Sequence, residues 1–218
     1  MRNPSSMALA LLGLAFGCTE PDIRETENTT PIPNPDPSTN INPDPDPDPD
    51  PKPEPDPVPC SKDSEAIRGV DANMCTPGFE LPAADGTMIR LADYEGQIVL
   101  LEFVTMWCGT CRQAAPEFQE YSVERADDPV EVITLIHEDV FGDTPTTDDI
   151  EAWTSQFTIT HPVVSDVSGE AKKAWSRGGT IPTPMTYVVD QFGYIRFFAG
   201  GNGTIAEFDE AIEALLTE

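Results

Sequence analysis

Two cysteines separated by two residues stand in the stretch LLEFVTMWCGTC, residues 100–111, directly after an apolar run. Thiols at this spacing exchange electrons with other disulfides, hold a metal ion, or close a local disulfide. Cys108 and Cys111 are therefore the first candidates for chemistry. A structural zinc site needs four ligands, whereas this chain offers one CxxC and only His137 and His161 as histidines, in separate predicted elements. We therefore predict no bound metal, and we interpret both histidines as structural or surface residues.

The three other cysteines are Cys18, Cys60 and Cys75. If Cys18 carries a lipid, the remaining four cysteines allow three pairings, and Cys108 with Cys111 is the local one. That leaves Cys60 and Cys75, for which we predict a structural disulfide that pins the start of the folded part. A loop of this size contributes about 3 kcal/mol. A second redox pair is the alternative.

The N-terminus predicts export. A short basic start is followed by the apolar run Met7–Phe16, which is too short to span a bilayer, and by a small residue before Cys18. This pattern resembles a bacterial lipoprotein signal, whose cysteine becomes the lipidated first residue, so residues 1–17 are the expected signal peptide. An ordinary secretory signal with an incidental Cys18 is the alternative. Either export route delivers the protein to a compartment where disulfides persist.

Residues 18–59 are predicted to be a disordered linker. Proline alternates with aspartate from residue 31 onwards, and few apolar residues are available to offset the ordering entropy. Such a segment is stiff and extended and reaches roughly 130 Å. Calcium binding by the Asp-Pro repeat is the alternative, although proline prevents its carboxylates from wrapping one ion.

The formal charge of the chain is −27, from 39 acidic and 12 basic residues. A field of this sign repels nucleic acid and anionic lipid, so we expect neither as a partner. The sequence indicates no cofactor.

Residues 60–218 read as one globular α/β domain. Two short runs around Asp85-Gly86 predict a hairpin, and the apolar runs 97–104 and 130–137 predict buried strands. Four helices are predicted. The first spans residues 108–124 and contains Pro116; the second has Ile150, Trp153 and Phe157 on one face and is capped by Asp148 and Glu151; the third spans residues 169–175; and the last begins with the capping box Thr204/Glu207. The strands 185–190 and 194–200 are joined by a turn at Gly193. The predicted order is β-hairpin, βαβ, αβ, β-hairpin, α, with helices on both faces of a mixed sheet.

The stretch WCGTC, placed after a buried strand and opening a helix, resembles the active site of the thioredoxin superfamily. The wider stretch from Phe79 to Phe118 is similar to its TlpA-like, AhpC/TSA-related, membrane-attached branch. The resemblance covers nearly all of residues 75–218 and implies a thioredoxin-like fold with an N-terminal β-hairpin extension. It also implies that Cys108 is the exposed attacking thiol and that Cys111 is the buried thiol that resolves the mixed disulfide.

The resemblance assigns roles to four more residues. Glu102, six residues before Cys108, occupies the place of thioredoxin's buried aspartate, a proton carrier for the resolving thiol; an edge-facing Glu is the alternative. Burial should raise its pKa. Pro184 matches the cis-proline that contacts substrate, with Pro182 as the competing candidate, and Thr183 would then face the active site. Trp107 matches the tryptophan beside the nucleophile; a core aromatic is the alternative.

The sequence also departs from the family pattern. Gly109-Thr110 between the cysteines is neither the reducing Gly-Pro nor the histidine-bearing pair of strong oxidants, so the redox poise stays open. Val104 replaces the usual tryptophan, and Ala114 stands where some TlpA-like proteins carry an acid.

The resemblance implies a thiol–disulfide oxidoreductase that reduces protein disulfides outside the cytoplasm and needs an external electron donor. Its only membrane contact would be the lipid at Cys18, on the periplasmic face, and Thr19 favours the outer membrane because it is not the aspartate that retains lipoproteins in the inner one. One alternative is a thiol peroxidase using Cys108. Thr105 matches half of the peroxiredoxin signature, but Leu101 stands where that signature needs proline. A non-enzymatic lipoprotein with a structural CxxC disulfide is the other alternative.

Overall fold

The computed structural model describes residues 59–60, 66–201 and 203–217. The expected signal peptide, Cys18 and the linker up to residue 58 lie outside the described residues. The strands are β1 (Glu80–Pro82), β2 (Met88–Arg90), β3 (Ile98–Thr105), β4 (Val130–Glu138), β5 (Val163–Ser165), β6 (Met185–Val189) and β7 (Ile195–Gly200). The helices are α1 (Gly109–Glu124), α2 (Thr147–Phe157), α3 (Glu170–Trp175) and α4 (Ile205–Leu216), with a 3-10 turn at Leu91–Tyr94.

The central sheet has five strands in the order β5-β4-β3-β6-β7, and β1 and β2 form a separate hairpin. β3 pairs in parallel with β4 and antiparallel with β6, so the sheet is mixed. The predicted thioredoxin-like α/β fold with an N-terminal hairpin is confirmed. The strand predicted after α2 is β5, which has only three residues, too few for a periodicity to locate it.

The two faces of β3 bury different cores because side chains alternate along a strand. Val99, Leu101 and Phe103 pack on the face shared with Trp175 of α3 and the hairpin. Leu100 packs with α1 and α4, and Val104 packs with α1 and α2. Every residue of β3 is buried, as its apolar run predicts, and helices lie on both faces of the sheet.

One predicted helix cap is wrong. α2 is capped by Thr146 and Asp149, whose side chains and backbone N–H groups bond reciprocally, instead of by Asp148 and Glu151. A threonine hydroxyl accepts well from the third residue of a helix, and this earlier start leaves Asp148 free of the capping role. The cap predicted for α4, Thr204 with Glu207, is confirmed.

Candidate active site

The CxxC lies where β3 passes into α1. β3 ends at Thr105, and Cys108 is the N-cap of α1 with an extended backbone (φ −74°, ψ 114°). Cys108 Sγ accepts a hydrogen bond from the backbone N–H of Cys111 at 3.1 Å, and the two sulfurs are joined as a disulfide with a Cα–Cα distance of 5.3 Å. A sulfur at a helix N-terminus is positioned to be stabilised as a thiolate by the helix dipole and the free N–H groups.

The expectation that Cys108 is exposed is wrong for this oxidised state. Cys108 is only 5% exposed and Cys111 is fully buried. Both cysteines pack in the cluster that contains Val104 and Trp153, and the disulfide turns Sγ of Cys108 towards its partner. Of the two cysteines only Cys108 keeps any solvent exposure. This agrees with the resemblance, in which Cys108 attacks the substrate and Cys111 resolves the mixed disulfide.

Glu102 is buried on the sheet face that α1 covers. It is 1% exposed and stands between Leu100 and Val104 on β3, both of which pack towards α1. Burial raises the pKa of Glu102 to about 8, and a hydrogen bond from Thr134 opposes this rise. The alternative of an edge-facing Glu does not fit this burial. At neutral pH the acid form therefore predominates, with the carboxylate close enough in free energy to suit a proton carrier.

A hydrogen-bonded chain continues from Glu102 across the neighbouring strand. Thr134 Oγ1 on β4 donates to Glu102 Oε2 at 3.4 Å and lies 3.0 Å from His161 Nε2. His161 is 6% exposed, and burial lowers its pKa to about 4. No partner for this histidine was visible in the sequence, and its interpretation as a surface residue is wrong. The one sequence signal for this contact was Thr134, a polar residue within a buried apolar strand.

Trp107 lies beside the CxxC and is 54% exposed, so the alternative of a core aromatic is wrong. Its indole N–H donates to Glu138 Oε2 at 2.8 Å. Lys172 of α3 is ion-paired with the other oxygen of Glu138. This pair lowers the pKa of Glu138, against the effect of its partial burial. The hydrogen bond to this ion-paired carboxylate therefore holds the indole ring while the ring stays exposed to solvent.

The peptide bond between Thr183 and Pro184 is cis, and Pro182 is exposed. Thr183 and Pro184 are half-buried before β6, the strand paired with β3. Thr183 Oγ1 lies 3.4 Å from Nε2 of His137 near the end of β4. His137 is 4% exposed, which excludes its interpretation as a surface residue, and burial lowers its pKa to about 4.

An exposed apolar surface that the sequence did not reveal follows β4. Phe141 is 85% exposed and Val140 is 48% exposed. Their loop is ordered by Asp139, whose Oδ1 accepts from the backbone N–H groups of Phe141 and Asp143 at 2.7 and 2.8 Å. The aromatic ring is thus held in solvent three residues after Glu138, the partner of Trp107. Exposure of one loop residue leaves no periodic signal in the sequence.

The two positions compared with the peroxiredoxin signature are interior residues. Leu101 and Thr105 are fully buried on β3, and Thr105 Oγ1 has no hydrogen-bond partner among the described residues. Pro116 lies inside α1, as predicted. Gly109 and Thr110, between the cysteines, are exposed on the first turn of the helix.

Cys60 and Cys75 are joined by a disulfide with a Cα–Cα distance of 5.6 Å. The segment is also held by backbone bonds from Cys60 N to Phe192 O (2.8 Å) and from Thr76 N to Gly193 O (3.0 Å). The disulfide and these backbone bonds together attach the start of the domain to the β6–β7 turn. The CxxC lies at the opposite end of the sheet, where β3 ends and β6 begins.

No group of three or more His, Cys, Asp or Glu side chains arranged for a metal ion occurs within residues 59–60, 66–201 and 203–217. In the same part of the chain, no helix combines the length and the apolar character needed to cross a bilayer.

Comparison with known proteins identifies the family. Residues 73–198 match the AhpC/TSA family over the hairpin, the CxxC and the cis-proline segment. The chain belongs to the AhpC/TSA family. The chain is similar to the thiol-disulfide oxidoreductase ResA of Geobacillus thermodenitrificans, with 26% identity over 140 residues, or 64% of this chain and 75% of ResA. The thioredoxin-like protein YneN of Bacillus subtilis is 24% identical and covers 66% of this chain and 81% of its own.

Solved structures share the fold of this chain. A putative thiol:disulfide interchange protein DsbE from Chlorobium tepidum matches 68% of this chain and 99% of its own, with a TM-score of 0.57 and 23% identity. The pneumococcal exposed lipoprotein thioredoxin of Streptococcus pneumoniae matches 64% of this chain and 98% of its own, with a TM-score of 0.51 and 28% identity. The described domain thus has the thioredoxin-like α/β fold of these structures.

Proposed function

We propose that this protein is a thioredoxin-like thiol–disulfide oxidoreductase that reduces protein disulfides outside the cytoplasm through Cys108 and Cys111. The single observation that carries the proposal is the position of Cys108 Sγ at the N-cap of α1, 3.1 Å from the N–H of Cys111. This N–H and the helix dipole favour the thiolate, which is the attacking form. The relatives named thiol-disulfide oxidoreductase support the same chemistry.

The reaction begins with the reduced protein. The Cys108 thiolate attacks one sulfur of the substrate disulfide, forming a mixed disulfide and releasing the other substrate sulfur as a thiolate. Cys111 then loses its proton and attacks Cys108 Sγ, which releases the second substrate thiolate and leaves the Cys108–Cys111 disulfide. Glu102 accepts the Cys111 proton. The substrate gains two electrons and leaves as two thiolates, which take their protons from water, and an external donor must return the two electrons to the protein.

The substrate chain would lie over Trp107, Thr183 and Pro184. Trp107 offers an exposed apolar face fixed by Glu138. Thr183 and Pro184 are half-buried and offer backbone groups beside β6. The exposed Phe141 extends this surface, which fits a polypeptide with apolar residues near its cysteine better than it fits a small disulfide.

The proposed location is the periplasmic face of a bacterial membrane. Residues 1–17 act as a lipoprotein signal peptide, Cys18 carries the lipid, and residues 18–59 are a spacer that lets residues 60–218 reach their substrates. The support is the sequence pattern at Cys18 together with the exposed lipoprotein thioredoxin among the structural relatives. Thr19 favours the outer membrane over the inner one. Incorporation of labelled fatty acid that disappears in a Cys18→Ser variant tests the anchor.

The catalytic proposal is tested with a trap. Cys111→Ser should accumulate mixed disulfides between Cys108 and protein substrates, visible as bands that disappear on reduction, whereas Cys108→Ser should accumulate none. The wild-type protein should accelerate insulin reduction by dithiothreitol. Rapid peroxide consumption without insulin reduction would instead identify a thiol peroxidase. A folded Cys111→Ser variant that captures no protein would contradict the proposed substrate class.

A further inference from the structure

Three buried polar side chains form one continuous hydrogen-bonded chain behind the CxxC. Thr134 Oγ1 stands in the middle, 3.4 Å from Glu102 Oε2 and 3.0 Å from His161 Nε2. Glu102 and Thr134 are each 1% exposed and His161 is 6% exposed. Burying three polar groups costs free energy that an apolar cluster at the same place would not cost. The presence of all three polar groups at one buried place therefore indicates a chemical role.

The polar atom at each end of this hydrogen-bonded chain is unpaired. Glu102 Oε1 and His161 Nδ1 are buried and have no hydrogen-bond partner among the described residues. The Glu102 end lies on the sheet face covered by α1, which carries Cys111. The His161 end lies in the connection between α2 and β5, at the outer side of the sheet. A proton can therefore enter such a chain at Glu102 Oε1 and leave it at His161 Nδ1.

The connection that carries His161 is fixed to the active-site helix. Gln119 of α1 accepts from the backbone N–H of Thr160 at 2.7 Å and donates to Thr160 Oγ1 at 2.9 Å. The backbone N–H of Thr134 donates to Pro162 O at 3.0 Å. The residues on each side of His161 are therefore attached to α1 and β4, and these bonds hold the imidazole against Thr134.

We propose that Glu102, Thr134 and His161 form a proton path that connects the buried resolving thiol with solvent. This inference rests on the proposed function, because it assigns an exit to the proton that Cys111 loses when it attacks the mixed disulfide. Thr134 and His161 act through Glu102 and do not touch the substrate.

The transfer balances without any further reactant. At pH 7 the path starts with Glu102 as the neutral acid, because its pKa is about 8. Glu102 gives its proton to Thr134 Oγ1, while the hydroxyl proton of Thr134 moves to His161 Nε2 and the proton on Nδ1 leaves to water. The Glu102 carboxylate formed in this way then accepts the proton of Cys111. At the end Glu102 is again the neutral acid, Thr134 keeps one hydroxyl proton, and His161 has changed from its Nδ1–H to its Nε2–H tautomer. Reduction of the Cys108–Cys111 disulfide reverses the path.

The electrostatic setting suits a relay better than an ion pair. Burial raises the pKa of Glu102 to about 8 and lowers the pKa of His161 to about 4, so neutral forms of both are favoured at pH 7. The residues that flank Glu102 from the neighbouring strands are the hydroxyls Thr134 on β4 and Thr186 on β6. α1 contributes Cys111, and the α2–β5 connection contributes His161. A proton can therefore move along the path without leaving a permanent buried charge.

The resolving step can be measured alone with an aromatic disulfide that releases a coloured thiolate. The reduced protein should release one equivalent in a bimolecular phase, when Cys108 attacks, and a second in a first-order phase, when Cys111 resolves. Thr134→Val and His161→Phe should slow only the first-order phase, by about tenfold or more, as expected for lost proton transfer. Added imidazole should restore the rate in His161→Ala, which a purely structural role would not produce.

Thr186→Val is the matched control, because Thr186 is a buried threonine directly opposite Glu102 on the other neighbouring strand. Both of its phases should stay within about twofold of wild type, because Thr186 is outside the proposed path. A first-order phase in folded Thr134→Val as fast as that in Thr186→Val would overturn the proton path. Absence of the second release in the wild-type protein would instead count against the proposed function itself.

Discussion

The indole N–H of Trp107 bonds to Glu138 Oε2 at 2.8 Å, which fixes the exposed tryptophan beside the CxxC to the end of the neighbouring strand. The same carboxylate is ion-paired with Lys172 of α3. Three elements thereby determine the orientation of one aromatic ring: the β3–α1 connection, β4 and α3. If this ring contacts the substrate, its orientation should matter more for activity than for stability.

Glu138→Ala should lower the rate of insulin reduction by about tenfold, the scale expected when a substrate-contacting group is misplaced. The free energy of unfolding should change by only about 1 kcal/mol, since the hydrogen bond and ion pair are partly exposed. Lys172→Met is the matched variant, because it removes the ion pair but keeps the bond to Trp107. It should retain most of the activity. Equal losses in both variants would contradict a role for the indole orientation.

Phe141 should contribute to binding of protein substrates. Phe141→Ser should raise KM for insulin by about tenfold, as expected when about half of a phenylalanine's burial on binding is lost. The rate with a small aromatic disulfide should not change. Ile67→Ser is the control, because Ile67 is 75% exposed on the segment joined to Cys75 and lies outside the proposed substrate surface. A similar rise in KM for Ile67→Ser would indicate a general effect of surface hydrophobicity.

Glu102 should make the native state lose stability as pH rises. Its pKa is about 8 in the folded state and near 4.5 when unfolded, so the folded chain binds more protons between these values. The Glu102 contribution to the free energy of unfolding should therefore fall by a few kcal/mol as pH rises from about 4.5 to 8, with no further loss from this group above that. Burial lowers the pKa of His137 and of His161 to about 4, so these two groups contribute a rise in stability up to about pH 6.5. The Glu102 contribution is therefore the difference between the wild-type and Glu102→Gln curves, because both proteins keep the two histidines.

Urea unfolding of the oxidised proteins across this pH range measures the slope. Glu117→Gln is the control, because it removes an exposed carboxylate from α1, and it should follow the wild-type curve. A wild-type curve that rises through this range and coincides with that of Glu102→Gln would show that Glu102 ionises normally in the folded state.

The sequence predicted the elements whose signals are local. The continuous apolar run of β3 and the capping box of α4 were sufficient to define those elements. β5 and the cap of α2 were harder to predict from the sequence. A three-residue strand has no periodicity, and several acidic residues compete for the capping position at the start of α2. Local signals thus give elements but not their exact ends.

The contact of Glu102 with Thr134 depends on the register of two strands 32 residues apart. Their pairing starts with Ile98 opposite Val130, so Thr134 falls opposite Glu102. Alignment of the predicted runs 97–104 and 130–137 from their first residues would instead have placed Leu135 opposite Glu102, an error of one residue in the register. His161 could not be placed in this way, because its position depends on how the α2–β5 connection folds back over β4. The site was therefore predictable along β3 and α1 and only partly across the sheet.

Removal of the Cys60–Cys75 bridge should destabilise the domain without abolishing its activity. The bridge closes a loop with a sequence separation of 15 and fastens it to the β6–β7 turn. The double variant Cys60→Ser, Cys75→Ser should lose about 3 kcal/mol of unfolding free energy, measured by urea titration under oxidising conditions. Insulin reduction should stay near the wild-type rate at a temperature where both proteins are folded. A loss of activity in the folded double variant would assign a redox role to the second cysteine pair, and the bridge could no longer be regarded as structural.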